Sequence, residues 1–105
     1  MLALPNQTLT EAQRSIIIEL TAPLKPSFVY LFGSAARGEL RRESDIDIAF
    51  YGLEPVRPRS LLDVSESIAS ALNREIDLVD LDSSNDVFRA QVIGTGDLLI
   101  EGCQR

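Results

Sequence analysis

An uncharged run of aromatic and aliphatic residues, Ser27–Phe32, sets the strictest limit on the fold of this chain. A short run of this composition predicts a buried strand. Gly33 and Ser34 follow it directly and predict a sharp change in chain direction. The chain has 105 residues, a length suited to one domain with one modest core. We therefore expect a single domain, residues 1–105, built around this strand.

Hydrophobic spacing predicts further elements on either side of the strand. The pair Thr8 and Glu11 predicts a capping box at the start of the first helix. We predict strands at Asp45–Tyr51 and Ile76–Leu81, helices at about 9–22, Ser60–Leu72 and Val87–Ile93, and a short apolar tail at Asp97–Glu101. The order helix, strand, strand, helix, strand, helix indicates a small α/β or α+β domain with few strands in its sheet.

Composition excludes several classes of function. Lys and Arg number 10 against 16 Asp and Glu, a formal charge of -6, which disfavours direct binding to nucleic acid or to an anionic membrane. The apolar stretches are too short to span a bilayer. The chain has no histidine, so a catalytic triad, a general base or a metal site that depends on histidine is excluded. Cys103 has no partner for an internal disulfide, which fits a reducing cytoplasm.

The carboxylates Asp45 and Asp47 open the second predicted strand. Because side chains alternate along a strand, both point to one face, and Ile46 and Ile48 point to the other. Two carboxylates this close repel each other unless a cation lies between them. Oxygen ligands without histidine or cysteine favour Mg²⁺ or Mn²⁺ over zinc.

A third carboxylate would complete a two-metal site. Asp77 in the third predicted strand is the candidate, provided that this strand lies beside the second. Asp80 and Asp82 are competitors, and strand alternation places both on the face opposite Asp77. Only one of these two sets can face the site.

The segment after the first strand has the composition of a phosphate-binding turn. A glycine at the end of a buried strand lets the backbone approach a ligand closely. If residues 34–38 form a helical turn, its amides create an anion site. Three arginines, Arg37, Arg41 and Arg42, follow closely in sequence and could pair with phosphate oxygens.

The spacing of these motifs resembles a known signature. Gly33-Ser34, ten intervening residues and Asp45-x-Asp47 resemble the signature of the polymerase-β-type nucleotidyltransferase superfamily. The full run GSAARGELRRESDIDI, with EIDLVDL downstream, is similar to the minimal nucleotidyltransferase (MNT) group. Members of that group are short prokaryotic proteins, often antitoxins paired with a HEPN-domain toxin. The resemblance implies a polymerase-β-like fold, with a small mixed sheet flanked by helices.

The resemblance also implies roles for particular residues. Gly33 and Ser34 would hold the nucleotide triphosphate, and Arg37 would contact its phosphates. The catalytic carboxylates Asp45, Asp47 and Asp77 would bind Mg²⁺, with a two-metal site expected, and Asp77 is the candidate base. The implied reaction transfers AMP from ATP to a hydroxyl, with tyrosine the expected acceptor, on a partner HEPN toxin. This would neutralise the toxin within a hetero-oligomer in the cytoplasm.

Two alternative functions stay open at this point. The chain could be an antitoxin that blocks its toxin by contact alone, with catalysis dispensable. It could also be a small-molecule nucleotidyltransferase that works with a separate substrate-binding subunit. Substitution of Asp45 and Asp47 separates catalysis from contact, because neutralisation by contact would survive it.

Overall fold

The structure, a computed structural model, describes residues 9–40 and 44–101. Its helices and strands, in chain order, are α1 (Glu11–Thr21), β1 (Pro26–Phe32), β2 (Ile46–Gly52), α2 (Pro58–Leu72), β3 (Ile76–Asp80), α3 (Asp86–Thr95) and β4 (Asp97–Glu101). Short 3₁₀ turns follow α1 at Ala22–Leu24 and β3 at Leu81–Ser83. No helix in these ranges is long and apolar enough to cross a membrane.

The four strands form one mixed sheet in the order β3-β2-β1-β4. Strand β1 runs antiparallel to both β2 and β4, whereas β2 and β3 run parallel. The prediction of a small mixed sheet flanked by helices is confirmed. The predicted order of elements was wrong at its end, because the segment 97–101 is a fourth strand and not a tail. Pairing with β1 supplies the backbone hydrogen bonds of β4, and that partner lies far away in sequence.

Side-chain alternation gives the sheet two different faces. The first face packs on α1 and α2, and it carries the main core, which includes Val29, Leu31, Ile46, Ile48 and Phe50. The second face carries a smaller cluster beneath α3, formed by Tyr30, Ala49, Leu81 and Val92. Asp47 and Asp77 fall on this second face, since each is one residue out of phase with the core-facing isoleucines and leucines of its own strand.

The first helix is capped by a different pair from the predicted one. The Thr10 hydroxyl accepts a hydrogen bond from the Gln13 amide at 3.1 Å, and the Gln13 side chain accepts one from the Thr10 amide at 2.8 Å. The predicted pair was Thr8 with Glu11, and Thr8 lies outside the described residues. Because the helix begins at Glu11, Thr10 occupies the N-cap position and the capping box moves by two residues.

Helix α3 crosses the second face of the sheet. It connects β3 at one edge with β4 at the other edge, so it passes over β2 and β1. The connection is tight at Gly96, whose amide donates to the Val92 carbonyl at 2.6 Å. An ion pair between Arg14 of α1 and Asp97 ties the start of β4 to the helix on the other face.

Two glycines at the end of α3 provide a matched test of this packing. A Cβ on Gly96 would lie 2.5 Å from the Val92 carbonyl oxygen and 3.0 Å from that of Leu31, whereas a Cβ on Gly94 would meet nothing within 4 Å. We expect Gly96→Ala to lower the free energy of unfolding by about 1–3 kcal/mol. Gly94→Ala should raise it by about 0.5–1 kcal/mol, because alanine is the better helix former.

Urea unfolding of both variants measures these changes. Equal effects of the two substitutions would contradict the close approach at Gly96.

Candidate active site

Asp47 and Asp77 lie side by side on adjacent parallel strands. The register of β2 and β3 pairs Asp47 with Asp77 directly, and it pairs Phe50 with Asp80. Residues paired in this way point to the same face, and neighbouring strands are about 4.8 Å apart. The condition set for Asp77 is therefore met, because β3 lies beside β2 and brings Asp77 next to Asp47.

Asp45 lies just before β2 and is exposed. It belongs to the same electrostatic cluster, as the pKa of Asp47 shows. Partial burial raises the pKa of the Asp47 carboxyl, and the negative charges of Asp77 and then Asp45 raise it further. The Arg37 guanidinium acts in the opposite direction and lowers this pKa. Asp77 and Asp45 thus repel the charge of Asp47 at this edge of the sheet, and Arg37 attracts it.

Gly33 holds the end of β1 against Asp47. Its φ is +66°, in the left-handed region that favours glycine. A Cβ at this position would collide with Oδ2 of Asp47 and would lie 3.2 Å from its Cγ. Glycine is thus required here for two independent reasons, and the backbone turn lies in direct contact with the half-buried carboxylate.

The turn after Gly33 forms as a single helix-like turn. The Gly33 carbonyl accepts from the amides of Ala36 at 3.1 Å and Arg37 at 3.3 Å, and the Ser34 carbonyl accepts from Glu39 at 2.8 Å. Within the described ranges, the amides of Ser34 and Ala35 donate to no other backbone group. These two amides are therefore the candidates for the predicted anion site. The amides of Ala36 and Arg37 are already hydrogen-bonded within the turn.

Arg37 is exposed and pairs with a carboxylate of its own loop. Its Nε donates to Oε1 of Glu39 at 2.8 Å, and both side chains are more than half exposed. An exposed pair of this kind contributes little to stability, so it leaves the guanidinium available for exchange to another anion. The arginines Arg41 and Arg42, which the sequence also suggested as phosphate contacts, lie outside the described residues.

The competing carboxylates Asp80 and Asp82 lie away from this cluster. The Asp80 side chain accepts from the Asp82 amide at 3.0 Å and from the Ser83 hydroxyl at 3.4 Å. It therefore caps the 3₁₀ turn after β3. Asp80 lies at the opposite end of β3 from Asp77, and Asp82 follows in the turn. The structure thus places Asp77, and neither of the other two, beside Asp47.

The donor set of this cluster suits a hard divalent cation. All candidate ligands are carboxylate oxygens, which Mg²⁺ prefers, and a cation would relieve the repulsion that raises the pKa of Asp47. Among the residues that the structure describes, no three such side chains already stand at ligand spacing. Asp45 and Asp77 are exposed, so their side chains can turn toward a cation while Gly33 holds Asp47.

Two features of the site were missed at the sequence level. The Phe32 ring meets the Phe88 ring of α3 edge-on, with 5.5 Å between centroids. Phe32 is also the register partner of Asp47, so an aromatic pair borders the carboxylates. The second feature is Glu39 as the partner of Arg37. The short spacing of Glu39 from Arg37 in the sequence could have predicted this ion pair. The contact of Phe88 with Phe32 could not be predicted in this way, because it depends on how α3 crosses the sheet.

Repulsion at Asp47 predicts a pH-dependent stability in metal-free buffer. Because its pKa is higher in the folded state, the native protein binds more protons, and the free energy of unfolding falls as the pH rises through this range. Asp47→Asn removes the charge. We expect this variant to be more stable than the wild type at pH 7. Its advantage should shrink as the pH falls through the raised pKa, and it should be smallest below about 3.9, the ordinary aspartate value.

Urea unfolding at a series of pH values in the presence of a chelator measures this difference. Glu66→Gln, at an exposed position on α2, is the control and should stay within about 0.5 kcal/mol of the wild type. A variant at Asp47 that is no more stable than the wild type at pH 7 would argue against the repulsion.

Comparisons with known proteins identify the family. A family model described as "Polymerase beta, Nucleotidyltransferase" matches residues 15–104. The protein adenylyltransferase MntA of Shewanella oneidensis is 39% identical over 72 residues, which cover 69% of this chain and 52% of that protein. The chain therefore spans about half the length of this curated relative.

Solved structures of toxin–antitoxin complexes are similar as well. One, a toxin–antitoxin with AMP-PNP, has a TM-score of 0.78 and 36% identity, covering 84% of this chain and 73% of the other. Another is the tri-AMPylated HEPN toxin of Shewanella oneidensis in complex with its MNT antitoxin, with a TM-score of 0.73 and 30% identity, covering 89% and 73%. The paired carboxylates beside the Gly33 turn and these matches lead to one conclusion: the chain belongs to the polymerase-β nucleotidyltransferase family.

Proposed function

We propose that this protein is a Mg²⁺-dependent protein adenylyltransferase and an antitoxin. It transfers AMP from ATP to a hydroxyl, with tyrosine the expected acceptor, on a HEPN-domain toxin, and this modification neutralises the toxin. The two proteins act as a hetero-oligomer in the cytoplasm. The observation that carries the proposal is the direct pairing of Asp47 with Asp77 beside the tight turn at Gly33.

Relatives support the substrate, the acceptor and the partner. The curated relative is named as a protein adenylyltransferase, and one similar complex is described with the ATP analogue AMP-PNP. Another similar complex is described with a tri-AMPylated HEPN toxin bound to an MNT antitoxin. These descriptions concern proteins at 30–39% identity to this chain.

The turn after β1 would receive the triphosphate. The amides of Ser34 and Ala35 are the donors left over by the turn, and Gly33 lets the backbone approach the phosphates. Arg37 would exchange its exposed partner Glu39 for a phosphate oxygen, a stronger and more localised anion.

Asp45, Asp47 and Asp77 would hold the metal. Bound Mg²⁺ would supply charge stabilisation on the attacking and leaving oxygens of an in-line displacement. The Asp47 carboxylate lies against the Gly33 backbone, which would fix its position during the reaction. Because Asp77 is exposed, it would be accessible to the acceptor and would take the proton of its hydroxyl.

The proposed transfer forms one bond, breaks one bond and moves one proton. The acceptor oxygen forms a bond to the α-phosphorus of ATP, and the bond between that phosphorus and the bridging oxygen to the β-phosphate breaks. Pyrophosphate leaves, the hydroxyl proton passes to Asp77, and the acceptor carries AMP as an ester.

The intact mass of the partner toxin tests this function. After incubation of a HEPN toxin encoded beside this chain with the protein and Mg-ATP, we expect a mass gain of one or more adenylyl units. Asp45→Asn/Asp47→Asn, checked for folding by circular dichroism, should abolish the gain. A stable complex without any mass gain would contradict the enzymatic proposal and favour an antitoxin that acts by contact.

Asp77 and Asp80 form a matched pair for the third carboxylate. We expect Asp77→Asn to lower the rate of transfer by at least about 100-fold, because it removes a metal ligand and proton acceptor. Asp80→Asn should retain transfer and also stability, because the Oδ1 of asparagine can accept the same hydrogen bond from the Asp82 amide. Rates from mass spectrometry, with folding checked by thermal denaturation, decide between them. The reverse outcome would move the site to the other end of β3.

Arg37 and Arg59 form a second matched pair. Arg37→Gln should raise the KM for ATP by about tenfold, which corresponds to the loss of one charged contact to phosphate. Arg59→Gln, on the exposed face of α2, should leave the KM for ATP unchanged. Initial rates over a range of ATP concentrations measure both. An unchanged KM for Arg37→Gln would confine that arginine to its pair with Glu39.

A further inference from the structure

One exposed flank of α3, which carries Val87 and Gln91, faces the end of the sheet where Asp47 and Asp77 lie. Arg89 extends from the other flank of the helix, where it donates to the carbonyls of Leu81 and Ser84 at 3.0 Å each. Those carbonyls follow β3, at the opposite end of the strand from Asp77. At 100° per residue, positions 87 and 91 lie about 160° around the helix from position 89. Val87 and Gln91 therefore point toward the end of the sheet that carries the carboxylates.

The aromatic pair fixes this placement. Phe88 packs edge-on against Phe32, and Phe32 is paired in register with Asp47. Phe88, in the first turn of α3, thus contacts the residue that is paired with Asp47. Val87 is next to Phe88 in the chain and is 78% exposed, the most exposed large apolar residue among those described.

The charges around Val87 indicate which kind of protein segment could bind over it. Asp86 immediately precedes it with a side chain that is 97% exposed and lies 3.8 Å from the Arg89 guanidinium. Asp45 and Asp77 lie exposed at the edge that this flank faces. An apolar residue bordered by carboxylates is complementary to an apolar side chain flanked by lysine or arginine. The acceptor must bring its hydroxyl to Asp77, and this flank faces the same end of the sheet.

We propose that Val87 and Gln91 form the acceptor-recognition flank of the enzyme. It seats a segment of the acceptor protein that presents an apolar or aromatic side chain with basic residues beside it, and so directs the neighbouring hydroxyl to Asp77. This inference rests on the proposed adenylyltransferase function and adds the surface that selects the protein substrate. We expect nucleotide binding to be independent of this flank, because the proposed triphosphate site is the turn at Gly33 and Ser34.

Val87→Ser tests the proposal without disturbing the core, since the side chain is exposed. With the HEPN toxin as acceptor, we expect its KM to rise about tenfold while the KM for ATP stays unchanged. Val87→Ile keeps the apolar surface and should behave as the wild type. Leu62→Ser is the matched control, because Leu62 is 54% exposed on α2 at the other face of the sheet, and it should leave both KM values unchanged.

A second measurement tests the charge complementarity. The KM for the acceptor should rise with salt concentration in the wild type, and Asp86→Asn should weaken that dependence. An unchanged acceptor KM in Val87→Ser, or an equal rise in Leu62→Ser, would overturn the recognition flank while the adenylyltransferase function stands. A wild-type protein that transfers no AMP would overturn the function and the inference together.

Discussion

Repulsion between carboxylates is the constraint on which the rest of this structure depends. The parallel pairing of β2 with β3 holds Asp47 beside Asp77, and Asp45 adds a third negative charge. Such an arrangement costs stability in the free protein and becomes favourable only when a cation joins it. The buried residues of the same strands, Ile46 and Ile48, supply the packing that offsets this cost.

The two faces of the sheet differ, because one carries the main core and the other carries the candidate site. Helices α1 and α2 cover one face and enclose the main core. The other face carries the carboxylates at one end and α3 across its middle, with a smaller cluster beneath that helix. Because α3 has to connect the two edge strands, it crosses the sheet and borders the site. A connection that the topology requires thereby lines the candidate site.

Much of this arrangement could be predicted from local sequence. The buried strand at Ser27–Phe32, the carboxylate pair of the second strand and the glycine turn all depend on residues that are neighbours in the chain. β4 was not predicted, because a five-residue apolar segment becomes a strand only when a partner offers its backbone. The N-cap of α1 was misplaced by two residues, since Thr8 and Thr10 are equally suitable caps by composition.

The sequence by itself determined which groups the candidate site can offer: carboxylates at a spacing of two, a glycine where the backbone must turn, and no histidine. Only the tertiary structure decided which distant residues join them. Asp77 lies beside Asp47 and Asp80 does not, because of the register between β2 and β3. Phe88 reaches Phe32 because α3 crosses the sheet. Alternation within a strand follows from local geometry, but register and crossing depend on packing between segments that the chain order leaves free.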